Sequence, residues 1–81
     1  MELKFEKDLM QILRRKGIYR DNLIFTIHQV DSGWQLFVTS EIGTFSLKLK
    51  TGDVKIYKTL NTVGRKLMTF GIEKFTVHLS N

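Results

Sequence analysis

The chain has no cysteine, and it has no uninterrupted apolar run of the length that crosses a membrane. Without cysteine it can form no disulfide framework, no thiolate metal site and no thiol nucleophile. Its first residues alternate in charge where a secretory signal would need a continuous apolar stretch. We therefore expect a cytoplasmic protein whose stability depends on its hydrophobic core alone.

Motifs of catalysis are also missing. The sequence has no nucleophile elbow and no glycine-rich phosphate loop, and its eight acidic residues are scattered singly. The only two histidines, His28 and His78, fall short of the three or four protein ligands that zinc usually takes. We expect no enzymatic activity, no bound metal and no cofactor.

What remains is the composition of one small folded domain. A chain of 81 residues has room for a single core, and 42% hydrophobic with 26% charged residues is typical of globular proteins. The net charge is +5, and from position 14 onward eleven basic residues face five acidic ones, a balance of +6. Such an excess favours anionic partners.

Two segments have the apolar spacing of amphipathic helices. The first covers residues 3–16, and a glycine at position 17 offers a C-terminal cap. The second follows a capping residue at 59 or 61 and ends near Gly71. The apolar faces would comprise Phe5, Leu9, Ile12 and Leu13 in the first helix, and Leu60, Val63, Leu67 and Phe70 in the second.

Three segments alternate apolar and polar side chains, which predicts a meander of strands at residues 23–30, 34–40 and 45–50. Residues 74–79 predict a last strand, whereas residues 54–57 are either a further strand or the lead into the second helix. The side chains predicted to face the core are Leu23, Phe25, Ile27, Trp34, Leu36, Val38, Phe45, Leu47, Leu49, Phe75, Val77 and Leu79.

The order helix-β-β-β-(β)-helix-β predicts an α+β fold, a two-layer sandwich in which two helices cover one face of a mainly antiparallel sheet. The opposite face stays uncovered. Both helix exits carry Gly-Ile followed by a strand, and the strands contain the similar tetrapeptides Phe-Thr-Ile-His at 25–28 and Phe-Thr-Val-His at 75–78. This similarity fits either a degenerate internal repeat or two independent uses of the same cap.

The alternation identifies the uncovered face as the candidate functional surface. It would carry the rings of Phe37 and Tyr57 interleaved with lysines, the combination with which proteins stack bases and neutralise phosphates of single strands. The ordinary alternative is a solvated sheet face, since lysines commonly line exposed strands. The residues predicted to bind nucleic acid are Phe37, Lys48, Lys50, Lys55, Tyr57, Arg65 and Lys66.

A second basic group surrounds the end of the first helix and consists of Arg14, Arg15, Lys16 and Arg20. The negative end of the helix dipole explains the cations of the last turn. Arg20 lies beyond that turn and would extend the group into a secondary phosphate-binding patch.

The order helix, three strands, helix resembles that of double-stranded RNA-binding domains. The resemblance implies that Arg65 and Lys66, with Lys58 before them, lie where such domains present their lysines. The chain departs from that family in two motifs: it has no Lys-Lys-x-x-x-Lys-like cluster and, lacking proline, no Gly-Pro-x-His loop. Single strands are therefore favoured over double-stranded RNA.

Residues 51–78 contain Thr-Leu-Asn at 59–61, an apolar helix, Phe-Gly-Ile at 70–72 and Phe-Thr-Val at 75–77. This stretch resembles small accessory proteins of plasmids and other mobile elements. The resemblance implies a bacterial mobile-element setting and gives no residue a role.

These observations lead to one functional prediction and one alternative. We expect a non-catalytic domain that binds DNA or RNA through a basic, aromatic-bearing sheet face. The alternative is a protein-interaction module, an inhibitor, adaptor or homodimer, in which Phe37, Tyr57 and Ile24 form an apolar centre that meets an acidic protein or a second copy.

Overall fold

Five strands and two helices form the part of the chain that the computed structural model describes, residues 2–14, 22–41 and 43–79. This arrangement confirms the α+β fold class. Within these ranges neither helix combines the length and the apolar character needed to span a membrane. The elements are β1 (Glu2–Phe5), α1 (Glu6–Arg14), β2 (Ile24–Val30), β3 (Gly33–Ser40), β4 (Gly43–Lys48), α2 (Leu60–Thr69) and β5 (Thr76–His78).

The strands form one open mixed sheet in the order β1-β4-β3-β2-β5. The predicted meander is its centre, because β2 pairs with β3 and β3 with β4, both antiparallel. The two edge strands instead run parallel to their neighbours, β1 to β4 and β5 to β2. Two parallel strands need a crossover connection from one to the other. The helix α1 is part of the connection from β1 to β4, and α2 is part of the connection from β2 to β5.

The core lies between the helices and one face of the sheet. Its buried side chains are Leu9, Leu13, Phe25, Ile27, Leu36, Val38, Phe45, Leu47, Tyr57, Val63 and Leu67. Most of the side chains predicted to face inward are among these, or pack partly buried against them. The exceptions are Leu49, Phe75 and Leu79, which are exposed because β4 ends at Lys48 and β5 spans only three residues.

The first helix begins later than predicted, because its first residues form β1. The Glu-Leu-Lys-Phe stretch alternates along a strand and pairs in parallel with β4, from Glu2 opposite Phe45 to Phe5 opposite Lys48. The helix starts directly afterwards, where the backbone N–H of Phe5 donates to the Asp8 carboxylate at 3.0 Å. The predicted end of this helix at position 17 lies outside the described residues.

The second helix follows the prediction. The Thr59 hydroxyl accepts a hydrogen bond from the backbone N–H of Thr62 at 3.1 Å, which caps the N-terminus. At the other end Gly71 has a φ of +79°, and the Ile72 N–H donates to the Leu67 carbonyl at 2.9 Å. These bonds form a Schellman-type cap that ends the helix at the predicted glycine.

Residues 54–57 are not a strand of the sheet. Two isolated bridges hold them, one between Lys48 and Val54 and one between Trp34 and Tyr57. Tyr57 exchanges two backbone hydrogen bonds of 2.8 Å with Trp34, and bridge partners share a face. The prediction that Tyr57 points away from the core is therefore wrong: its ring is buried beside the helices.

An ion cluster joins three distant segments on the covered side of the sheet. The Glu6 carboxylate accepts from the Lys55 ammonium at 2.7 Å and from the Lys66 ammonium at 2.8 Å. Partial burial raises the pKa of Glu6, but the hydrogen bonds and charges of the two lysines outweigh it and hold this pKa below its usual value. The cluster ties the start of α1 to α2 and to the segment before α2.

Replacing Glu6 by glutamine should lower the free energy of unfolding by about 1 kcal/mol, because two half-buried cations lose their partner. Since the folded-state pKa is lowered, the wild-type advantage is complete above pH 4.5 and shrinks as the pH falls below that value. Denaturant unfolding at several pH values measures it. The matched control is Glu2→Gln, which breaks an exposed pair with Lys4 and should change stability little; equal losses in both variants would contradict a special role for Glu6.

Two turn glycines with similar backbone conformations provide a second test. Gly33 and Gly43 have φ values of +149° and +142°, which strain any L side chain. A Cβ at Gly33 would also overlap the carbonyl oxygen of Tyr57, whereas a Cβ at Gly43 meets open space. We expect Gly43→Ala to cost about 1 kcal/mol and Gly33→Ala about 3 kcal/mol or more. Thermal unfolding of both variants measures this, and equal costs would exclude the close approach of residue 57.

Candidate functional site

The face of the sheet opposite the helices, called the uncovered face below, receives side chains from all five strands. Registers between neighbouring strands align Phe5 with Lys48, Gln35 with His28, and His28 with His78. Gln35, His28 and His78 form a row across β3, β2 and β5. Phe5 and Lys48 pair on the other side of the sheet, where residues 54–57 bridge to both β4 and β3. The next row includes Phe37, opposite Ser46 on one side and Thr26 on the other.

The pairing of β2 with β5 makes His28 and His78 direct neighbours. Their rings stack with centroids 4.6 Å apart and planes inclined by only 6°. Phe37 meets the His28 ring edge to face, with centroids 4.8 Å apart. The similar tetrapeptides therefore lie side by side, with Thr26 opposite Thr76 and His28 opposite His78.

Phe5 adds a fourth ring and brings cations to it. The Lys48 ammonium lies 4.5 Å from the centroid of the Phe5 ring, and the Lys7 ammonium lies 5.7 Å from it. Both distances are typical of cation–π contacts. Sequence reasoning missed Phe5 as a surface residue because its spacing also fits the apolar stripe of the first helix. The alternation of residues 2–5 was the signal that could have found it.

The centre of the uncovered face is polar but uncharged. Ser46 is fully buried, donates to the Leu36 carbonyl at 2.6 Å and accepts from the Gln35 amide at 3.1 Å. These bonds fix the Gln35 side chain to Ser46, next to His28 in its row. Thr39 and Thr44 share a hydrogen bond of 3.0 Å at the next outward position.

The structure separates the residues that were predicted to act together. Phe37 and Lys48 lie on the uncovered face as predicted, and Lys50 lies just beyond the end of β4 in a turn. The placement of Tyr57 and Lys55 on this face is wrong, because Tyr57 is buried and Lys55 is bound to Glu6 on the covered side. Lys66 lies on the second helix, where the sequence placed it, and also binds Glu6.

The remaining predicted cations lie on the helices or outside the described residues. Arg65 is exposed on α2, which packs against the opposite side of the sheet. Arg14 is the exposed last residue of α1. Arg15, Lys16 and Arg20, which complete the predicted secondary patch, lie outside the described residues.

The covered side holds one unusual polar group, the hydroxyl of Tyr57. It is buried and has no hydrogen-bond partner among the described residues. Burial, together with the charge of Glu6, raises the pKa of Tyr57 to about 12. The ring also lies under the Lys55 ammonium, 5.1 Å from it, so Tyr57 belongs to the structural ion cluster and is neutral at physiological pH.

Among the described residues no acidic side chain occupies an outward position of the strands, and no three potential metal ligands come together. The uncovered face therefore combines rings, cations and neutral hydrogen-bonding groups. Comparison of the chain with protein families, with curated proteins and with solved structures finds no match.

The stacked histidines make a measurable prediction. Burial, and then the adjacent His78, lower the pKa of His28. His78→Gln should raise that pKa toward the ordinary value without reaching it, because the burial remains. A pH titration of the imidazole proton resonances measures the change. An unchanged His28 titration would show that the rings are not neighbours in solution.

The same lowered pKa affects stability. As the pH falls below about 6.5, His28 binds a proton more readily in the unfolded chain than in the folded protein. The free energy of unfolding of the wild type should therefore decrease through that range.

Proposed function

We propose that the protein binds single-stranded nucleic acid on the uncovered face. One observation carries the proposal: two ammonium groups gather at the Phe5 ring, on the same face as Phe37 and the stacked histidines. Rings and cations on an open sheet provide the two interactions that sequence-tolerant single-strand binding needs, stacking on bases and neutralisation of phosphates.

The rings are the stacking groups. Phe37 is half-buried and makes an edge-to-face contact with His28, so it loses little freedom when a base packs on it. His78 is exposed on the outermost strand and offers a ring at the far edge. Each stacked base contributes roughly 1–3 kcal/mol in comparable sites.

The cations are the phosphate contacts. Lys7 and Lys48 lie on the same edge of the platform, and their long side chains can move from the Phe5 ring to a phosphate oxygen. Between the strands that carry the lysines and those that carry the histidines, Gln35 and the neighbouring threonines present donors and acceptors to base edges. The net charge of +5 favours encounter with any polyanion.

Fluorescence anisotropy with labelled oligothymidylate and oligouridylate of about ten nucleotides tests the proposal. We expect binding at low salt that weakens as salt rises, and Lys48→Gln should flatten the log–log salt slope by about 0.7, the value for one phosphate of a single strand. Phe37→Leu keeps an apolar side chain but removes the stacking plane, so it should weaken binding about fivefold or more.

Arg65→Gln is the matched control, because it removes one charge from the opposite side of the molecule. It should leave the salt slope nearly unchanged. An equal effect of Arg65→Gln and Lys48→Gln would place binding elsewhere. Absence of binding up to roughly millimolar protein at low salt would rule out the proposed function.

A second candidate, self-association or binding of another protein through the same face, has its own support. Ile24 is 59% exposed on β2, and Leu3 lies at the other edge of this face, opposite Ser46. Sedimentation of the protein alone distinguishes the two. A dimer that Phe37→Asp disrupts would favour protein interaction, whereas a monomer at binding concentrations leaves the platform free for nucleic acid. The mobile-element setting stays a prediction under either candidate.

A further inference from the structure

The proposed platform contains two imidazole side chains that lie side by side. In-register pairing of β2 with β5 places His28 directly beside His78, and their rings are stacked 4.6 Å apart. His78 is exposed, so a ligand on the uncovered face can reach the pair from solvent. His28 is half-buried and also contacts Phe37, the main stacking ring of the platform.

Among the described residues, no acidic side chain lies beside the pair on the uncovered face. From β3 it faces Gln35 and Phe37, both uncharged, and the cation Lys48 lies on β4, beyond β3. Along the two strands, the first charged residues in the described part of the chain are Asp31 after β2, and Glu73 and Lys74 before β5. No acid among the described residues occupies an outward strand position. Protonation of an imidazole here is therefore disfavoured by burial and by the neighbouring ring, with no carboxylate to offset them.

We propose that the His28–His78 pair couples the binding of single-stranded nucleic acid to the uptake of a proton, an inference that rests on the proposed function. A phosphate of the bound strand supplies the negative charge that the face lacks. It therefore favours protonation of an imidazole beside it, and the resulting imidazolium binds the phosphate more tightly.

The coupling involves one proton, because a second charge in the stack is repelled by the first. Affinity therefore rises as the pH falls, by up to about tenfold per pH unit in the range where the proton is taken up.

The test compares the affinity for labelled oligothymidylate at about pH 8 and about pH 5.5, at one low ionic strength. Thymine does not titrate in this range, and the chain has no imidazoles besides these two and no cysteine. We expect the wild type to bind about tenfold more tightly at the lower pH. His78→Gln should lose most of that gain, and the double variant His28→Gln/His78→Gln should lose nearly all of it.

Lys48→Gln is the control for general electrostatics: it should weaken binding at both pH values and keep the gain. Calorimetry in two buffers of different ionisation enthalpy should detect uptake of up to one proton by the wild type and less by His78→Gln. Circular dichroism at both pH values checks the fold. If the double variant unfolds, His78→Gln decides the question, because its altered side chain is exposed.

The possible failures are distinguishable. An affinity that is the same at both pH values, or an equal pH gain with equal proton uptake in the wild type and in His78→Gln, overturns the coupling and leaves the proposed function standing. No binding at either pH overturns the proposed function and the coupling with it. Binding that weakens as the pH falls also overturns the coupling.

Discussion

The parallel pairing of β1 with β4 decides what each side of this protein contains. It sets Phe5 opposite Lys48 on the uncovered face, and the chain enters α1 at the next residue, so that Glu6 acts on the covered side. Phe5 and Glu6, which are consecutive in the chain, therefore lie on opposite sides of the sheet. A slip of one residue in this short register would turn Phe5 toward the core and remove the ring that gathers Lys7 and Lys48. The proposed platform and the ion cluster therefore depend on one strand of four residues.

The ion cluster holds two lysines of the described residues away from the uncovered face. Glu6 binds Lys55 and Lys66, and both are held beside the helices and the buried Tyr57 ring. Of the cations in the described residues, Lys48 and Lys7 are those in contact with a ring of the platform. A ligand strand would therefore meet about two phosphate contacts, so stacking and hydrogen bonds must contribute a large share of the affinity.

Local patterns were sufficient for the elements whose structure depends on local chemistry. Alternation predicted β2, β3 and β4 with their buried side chains, and a threonine cap with a glycine exit predicted α2. The failures occurred where a distant partner decided the outcome. The spacing of residues 2–5 fits the apolar stripe of a helix, but pairing with β4 makes them a strand. Tyr57 faces inward because its backbone is hydrogen-bonded to Trp34. The site was predicted in part for the same reason: the outward positions of β3 and β4 placed Phe37 and Lys48, but the strand order that brings His78 to His28 is not contained in any local pattern.

The stacked histidines connect the fold to the proposed site through a single electrostatic cause. In the free protein, protonation places a charge on a half-buried ring next to a second imidazole, at the junction that holds the three-residue edge strand β5. Acid therefore weakens this edge as long as nothing neutralises the charge. A phosphate bound beside the pair neutralises it, so the same proton that destabilises the free protein stabilises the complex. Acidification should then affect the free and the bound protein in opposite directions, which a purely structural histidine pair, remote from any ligand, would not do.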